Sequence, residues 1–254
     1  MIIITGPGRS GTSLLAHAYK LAGADPGGAW DDSSRAGFED PQIVDTNKAM
    51  LAAIESTLLG RRHTLPRAQN MPLQSISVAI LDRLGTDRKR KLGQLFARLP
   101  TNRTTHFRPP NWLKVDDVVA EWGTTLRSLS SQRVICKDPQ FSLTLPLWIK
   151  AGASIEFVVA TSRETDAMIQ SRYAAGHVGY RNKSATRNAM IYASGLLNCT
   201  LADNRQIPSI LLRFPDFIHE LDHTAQQLPL VPPITSNGLH SALISLVSED
   251  KSDR

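Results

Sequence analysis

Residues 1–16, MIIITGPGRSGTSLLA, run a β-branched apolar segment into a glycine-rich loop and the loop into a helix. Ile2, Ile3 and Ile4 have the unbroken apolar character of a strand buried in a parallel sheet. Gly6, Gly8 and Gly11 let the backbone turn sharply and approach a ligand. Thr12, Ser13 and the Leu14-Leu15-Ala16 run then open a helix whose N-terminal amides face the loop. Such a strand-loop-helix unit is expected to bind an anion, phosphate or sulfate.

Three patterns compete for the loop. Gly6-Pro7-Gly8-Arg9-Ser10-Gly11 satisfies the dinucleotide pattern G-x-G-x-x-G, which also requires a strand ending in an acid about 20 residues on. Gly23-Ala24-Asp25-Pro26-Gly27-Gly28 follows instead, a loop composition. The kinase pattern G-x-x-x-x-G-K-[ST] fits at Gly6, Gly11 and Ser13, but Thr12 stands where the phosphate-binding lysine belongs. The third pattern is the loop of sulfotransferases that use 3′-phosphoadenosine 5′-phosphosulfate (PAPS), which Pro7 to Leu15 closely resembles, with Arg9 supplying a charge inside the loop. That resemblance implies a three-layer α/β P-loop nucleotide-binding fold with a central, mainly parallel sheet. Unrelated phosphate loops remain the alternative.

The composition sets outer bounds on this reading. With 254 residues, 41% of them hydrophobic, the chain can bury a large core, and one α/β domain spanning 1–254 is expected. The net charge of +6 favours an anionic ligand but is too mild to argue for nucleic acid. Two cysteines, Cys136 and Cys199, are too few for a disulfide framework and fit a reducing compartment. With the first strand beginning at Met1 and no apolar run of about 18 residues, neither a signal peptide nor a membrane span is expected, and the location expected is cytoplasmic. The sequons at Asn102, Asn182 and Asn198 therefore carry little weight.

Beyond the first helix, 25–36 reads as a polar loop ending in Gly37-Phe38-Glu39-Asp40-Pro41. A second helix is expected from Gln42 to about Leu58, on the helical spacing of Ile43, Val44, Ala49, Met50 and Leu51. The Gly-Phe-Glu segment, with Val44 and Asn47, resembles a stretch of many bacterial sulfotransferases. Residues 60–130 read as a helical insertion over the site, with helices at 73–84, 87–99 and 115–129. The Lys89-Arg90-Lys91 run within it reads as a solvated face.

Regular alternation resumes at Arg133. Strands are expected at 134–136, 155–160 and 209–214, and helices at 141–149, 164–175, 184–203 and 217–228. Strand-helix-strand order implies parallel pairing, with the ligand beyond the carboxyl ends of the strands, where the first loop, Lys137 and Arg163 all fall.

Two further blocks carry the resemblance. Arg163, with Ser171 eight residues later, resembles the segment that holds the 3′-phosphate of the donor, although Thr165 replaces the usual proline. The bland reading is that Arg163 pairs with Glu164 or Asp166. Lys137-Asp138-Pro139 is similar to a turn of tyrosylprotein and bacterial carbohydrate or small-molecule sulfotransferases, in which the lysine approaches the transferred group. In all, the likeness covers about half the chain.

The resemblance implies in-line transfer to a hydroxyl of a carbohydrate or small-molecule acceptor. Arg9 and Lys137 would meet the charge growing on the leaving oxygen. Gly8, Arg9, Ser10, Gly11, Thr12 and Ser13 would hold the 5′-phosphate, and Arg163 and Ser171 the 3′-phosphate. Glu39 is the first choice of base, with His17 and His106 open alternatives and a helix N-terminal acid as its bland reading. His63 and His177 are candidates by residue type only. His219-Glu220-Leu221-Asp222-His223 matches the zinc pattern H-E-x-x-H, but the charged Asp222 and the lack of a convincing third ligand favour an exposed helix face. No metal is expected. The rival readings are a P-loop kinase or nucleotide hydrolase and a non-catalytic nucleotide-binding protein.

Overall fold

The computed structural model of the chain describes residues 1–28, 38–59, 115–174 and 183–252. Strand β1 (Ile2–Thr5) is buried throughout, as four consecutive β-branched residues allow. It pairs in parallel with β2 (Ile135–Lys137) on one side and β3 (Phe157–Arg163) on the other, with Ile3 opposite both Cys136 and Val158. Strand β4 (Ser209–Phe214) adds parallel to β3, giving the order β2-β1-β3-β4. The expected parallel α/β alternation is thus present. From β1 the chain goes to β2 on one side, then crosses to β3 on the other. The loop after β1 therefore lies where the winding reverses, the position at which open parallel sheets form a crevice.

Side chains of β1 alternate between two cores. Ile2 and Ile4 join Leu15 and Tyr19 of α1 (Thr12–Leu21) and Leu239 and Leu243 of α9 (Ser236–Ser252). Met1 and Ile3 join Ile43 and Met50 of α2 (Pro41–Leu59), Leu126 of α3 (Val115–Gln132) and Trp148 of α4 (Phe141–Lys150). Helices thus cover both faces of the sheet. The remaining helices are α5 (Thr165–Ala174), α6 (Lys183–Asp203), α7 (Asp216–His219) and α8 (Leu221–Gln227).

Several boundaries differ from the sequence reading, each for a tertiary reason. The strand expected at 155–160 begins at Phe157 and runs to Arg163, because Thr161, Ser162 and Arg163 pair with Leu212, Arg213 and Phe214 of β4. Arg163 is therefore the last residue of a strand rather than part of the turn after it. The helix expected over 217–228 is two helices, because the backbone leaves helical geometry at Glu220 (φ −118°, ψ 54°) and the Phe217 carbonyl accepts from the Thr224 hydroxyl at 2.9 Å. Helix α9 lies beyond the last element expected from the sequence. Leu239, Leu243 and Leu246 keep helical spacing there and bury against α1 and α8.

The helices expected at 73–84 and 87–99, the Lys89–Lys91 cluster, His63, His106, His177 and most of the expected insertion lie outside the described residues. Among the described residues, no helix is long and apolar enough to cross a membrane.

Candidate functional site

The loop after β1 is held by close backbone packing. A Cβ on Gly6 would lie 2.4 Å from the Thr161 carbonyl oxygen, so no larger residue fits there without displacing β3. Gly11 has φ 96° and abuts the Phe217 ring, again a position for glycine. Arg9 adopts a left-handed conformation (φ 75°) without being glycine, which costs on the order of 1 kcal/mol and is tolerated where surrounding structure enforces it. Ser10 is fully buried, with its hydroxyl 2.7 Å from that of Thr161. That contact ties the loop to β3. Thr12, also buried, opens α1, and Ser13 follows beside it on the first turn, where the positive end of the helix meets the loop.

On the β3 side, the loop meets a group of arginines. Arg9 donates through Nε to the Ser171 hydroxyl at 2.9 Å, joining positions 162 residues apart. Arg163 donates through Nη1 to the Arg9 carbonyl at 3.3 Å and lies over the Phe214 ring at 4.7 Å. The acids nearest it in sequence have other work: Asp166 pairs with Arg187 at 2.9 Å, and Glu164 accepts from the Ala167 amide at 2.9 Å at the start of α5. Arg172, next to Ser171, is 5% exposed. Burial, and then the charge of Arg9, disfavour the protonated forms of both Arg163 and Arg172. Sequence reasoning missed Arg172, because an arginine within a helix ordinarily reads as a solvated charge.

On the β2 side, Lys137 ends the strand with its side chain 1% exposed, and Nζ lies 2.5 Å from Glu39 Oε1. The sequence placed these residues 98 apart, and tertiary structure makes them an ion pair. Glu39 is held there by its neighbour. Asp40 caps α2, accepting from the Gln42 amide at 2.8 Å and the Ile43 amide at 3.3 Å, with Pro41 at the first helical position. Its other oxygen accepts from Arg133 Nε at 2.5 Å. The helix N-terminal acid is therefore Asp40, not Glu39. Phe38, one residue before the pair, stacks on His17 with ring centroids 4.4 Å apart, so His17 flanks the Glu39 segment.

Asp138 lies beneath Lys137, fully buried, accepting from Asn47 Nδ2 and the Gln140 amide, each at 2.8 Å. Burial, reinforced by the negative charge of Glu39, pushes its carboxyl up to about 6. Asn47 is itself fixed, its carbonyl oxygen accepting from Trp148 Nε1 at 2.8 Å and Thr144 Oγ1 at 2.9 Å. The Lys137 turn thus rests on a hydrogen-bonded floor.

The H-E-x-x-H stretch does not assemble on one helix. His219 ends α7, His223 lies in α8, the break at Glu220 separates them, and both side chains are exposed. His240 pairs with Asp222 at 2.9 Å, and His223 Nε2 lies 2.7 Å from Gln227 Nε2.

Chemically, the arrangement offers a backbone nest flanked by a buried lysine-carboxylate pair on one side and guanidinium groups with a hydroxyl on the other. Such cationic and amide groups suit an anionic ligand. Comparison with known proteins finds no matching family model, no matching curated protein and no matching solved structure.

Proposed function

We propose that the chain transfers a sulfuryl group from PAPS to a hydroxyl of a carbohydrate or small-molecule acceptor, on a three-layer P-loop fold. The observation that carries this reading is the hydrogen bond between Arg9 of the first loop and Ser171 of α5. It joins the first loop, next to the end of β3, to the middle of α5, which supports a single anion site for a nucleotide charged at both ends. The charge set fits such a ligand, because guanidinium forks suit a terminal phosphate and a compact ammonium suits a single developing charge.

In this mechanism the donor supplies the sulfuryl group. Arg163 and Ser171 hold its 3′-phosphate while the loop from Gly8 to Ser13 holds its 5′ end. Glu39 takes the acceptor proton as the new sulfur-oxygen bond forms. The bond from sulfur to the nucleotide phosphate oxygen breaks, and that oxygen departs with the electron pair. Lys137, with Arg9 on the opposite flank, stabilises the charge arriving there. In the resting state Lys137 holds the Glu39 carboxylate in place.

Calorimetric titration with adenosine 3′,5′-bisphosphate, against ATP with magnesium, tests the reading. Binding of the bisphosphate that ATP does not displace is expected, as is loss of transfer in Arg9→Ala and Lys137→Ala with the fold retained. Preferential binding of magnesium-ATP would replace this reading with a kinase or hydrolase. Bisphosphate binding with no turnover on a broad acceptor panel would leave a nucleotide-binding protein.

A further inference from the structure

Buried hydroxyls line the carboxyl edge of the sheet, those of Thr5 at the end of β1, Thr161 in β3 and Ser10 in the first loop. The Thr5 hydroxyl donates to the Asp138 carbonyl at 3.1 Å, and the Asp138 amide donates to the Ile4 carbonyl at 3.3 Å, so the Asp138 backbone is tied to β1 twice. The Thr161 hydroxyl donates to the Thr5 carbonyl at 3.3 Å and lies 2.7 Å from the Ser10 hydroxyl. Each hydroxyl carries one proton. With the Thr161 proton committed to Thr5, Ser10 is the donor of its pair with Thr161, and its proton points into the sheet. A fully ionised phosphate or sulfate offers only acceptor oxygens, so a serine whose proton is spent inward has nothing to donate to it. Gly6 makes room for this arrangement: a Cβ there would lie 2.4 Å from Thr161 Oγ1 and 2.7 Å from Ser10 Oγ.

We infer that Ser10 and Thr161 are positioning residues: Ser10 serves the anion site by clamping the first loop to Thr161, not by giving its hydroxyl to the ligand, and the chain from Ser10 through Thr161 and Thr5 to Asp138 sets the loop in register with the Lys137 turn. The inference rests on the donor reading above and deepens it. The loop amides, with Arg9 beside them, meet the 5′ end of the donor, while the Ser10 side chain holds those amides where they are. Lys137 directly precedes Asp138, so one buried network fixes both the loop and the lysine that flank the transferred group. Register of this kind matters for transfer, since a displacement of about 1 Å can cost about a hundredfold in rate.

The test is a double-mutant cycle read by calorimetric titration of the whole chain with adenosine 3′,5′-bisphosphate, alongside hydrogen exchange of residues 6–13 without ligand. Ser10→Ala and Thr161→Val are each expected to lower affinity by about tenfold, and the double variant by about the same tenfold rather than about a hundredfold, because both remove one clamp. Thr161→Ser, which keeps the hydroxyl, should stay within about threefold of the wild type. In Ser10→Ala and Thr161→Val, residues 6–13 should exchange about tenfold faster in the free chain while α9 exchanges as in the wild type. A loss of about a hundredfold in the double variant, or a weakened Ser10→Ala beside an unchanged Thr161→Val, makes the Ser10 hydroxyl a ligand group and overturns the inference. Unchanged affinity in both single variants overturns it too and leaves the clamp a purely structural contact. If Thr161→Val does not fold by circular dichroism, Ser10→Ala decides alone: weaker binding with unchanged exchange of the free loop overturns the inference. A wild type that binds no bisphosphate sinks the donor reading and this inference together. One that prefers magnesium-ATP sinks the donor reading only, and the same cycle titrated with magnesium-ATP then decides the clamp.

Discussion

Asp138 is buried beside an ion pair and holds two neighbours in place. Its carboxyl, pushed up to about 6 by burial and by Glu39, is more easily protonated in the folded chain than in the unfolded one. The sign follows directly. A raised folded value favours the folded state most below the unfolded value near 4, and the advantage is lost as pH rises through about 6. Stability from urea unfolding is therefore expected to fall between about pH 4.5 and 7, with a slope no steeper than about 1.4 kcal/mol per pH unit for one proton. In Asp138→Asn that segment of the profile should flatten, whatever offset the lost acceptor introduces. A parallel slope in wild type and variant would refute the assignment. Asn47 anchors Asp138 to Trp148, so the residue that follows Lys137 in the chain is fixed in position.

Among the elements, α9 shows how packing outweighs a polar sequence. Leu239 and Leu243 are fully buried against the α1 side of the sheet, while Ser241, Ser245 and Ser248 on the same helix are exposed. Helix α1 carries the loop at its N-terminus, so α9 supports the site from behind. Leu243→Ala should cost about 2–5 kcal/mol by the burial lost and the cavity left, measured as a shift in the denaturation midpoint. An exposed neighbour on the same helix, Ile244, provides the control: Ile244→Ala should change stability by less than about 1 kcal/mol. Equal effects at both positions would mean that α9 does not dock as described. Helices α7 and α8 make a related point, because one hydroxyl, that of Thr224, takes the Phe217 carbonyl and accompanies the break between them.

For the molecule as a whole, the site is assembled from pieces far apart in the chain. Arg9 reaches Ser171, Lys137 reaches Glu39, and Arg133 reaches Asp40. A ligand that spans these pieces binds the folded chain and not the unfolded one, so it must stabilise the entire fold. Adenosine 3′,5′-bisphosphate at a hundred times its dissociation constant should add about 2.7 kcal/mol to unfolding, read as a rise in Tm. The rise should shrink in Arg163→Ala. A bisphosphate that leaves Tm unchanged at millimolar concentration would argue against any nucleotide site here.

The sequence by itself determined the local features of this protein. The Ile2–Ile4 run marked β1, the glycines marked the loop, and the alternation after Arg133 marked parallel pairing, because each is written in residue type and short-range spacing. The helical spacing of Leu239, Leu243 and Leu246 went unread, because serines and a histidine lie between them. Only the tertiary structure decided that Glu39 pairs with Lys137 while Asp40 caps α2, that β3 extends to Arg163 through its ladder with β4, and that Arg172 is buried rather than solvated. The reason is physical. Propensity and periodicity act over a few residues, whereas ion pairing, desolvation and strand register depend on which distant segments the sheet brings to its carboxyl edge.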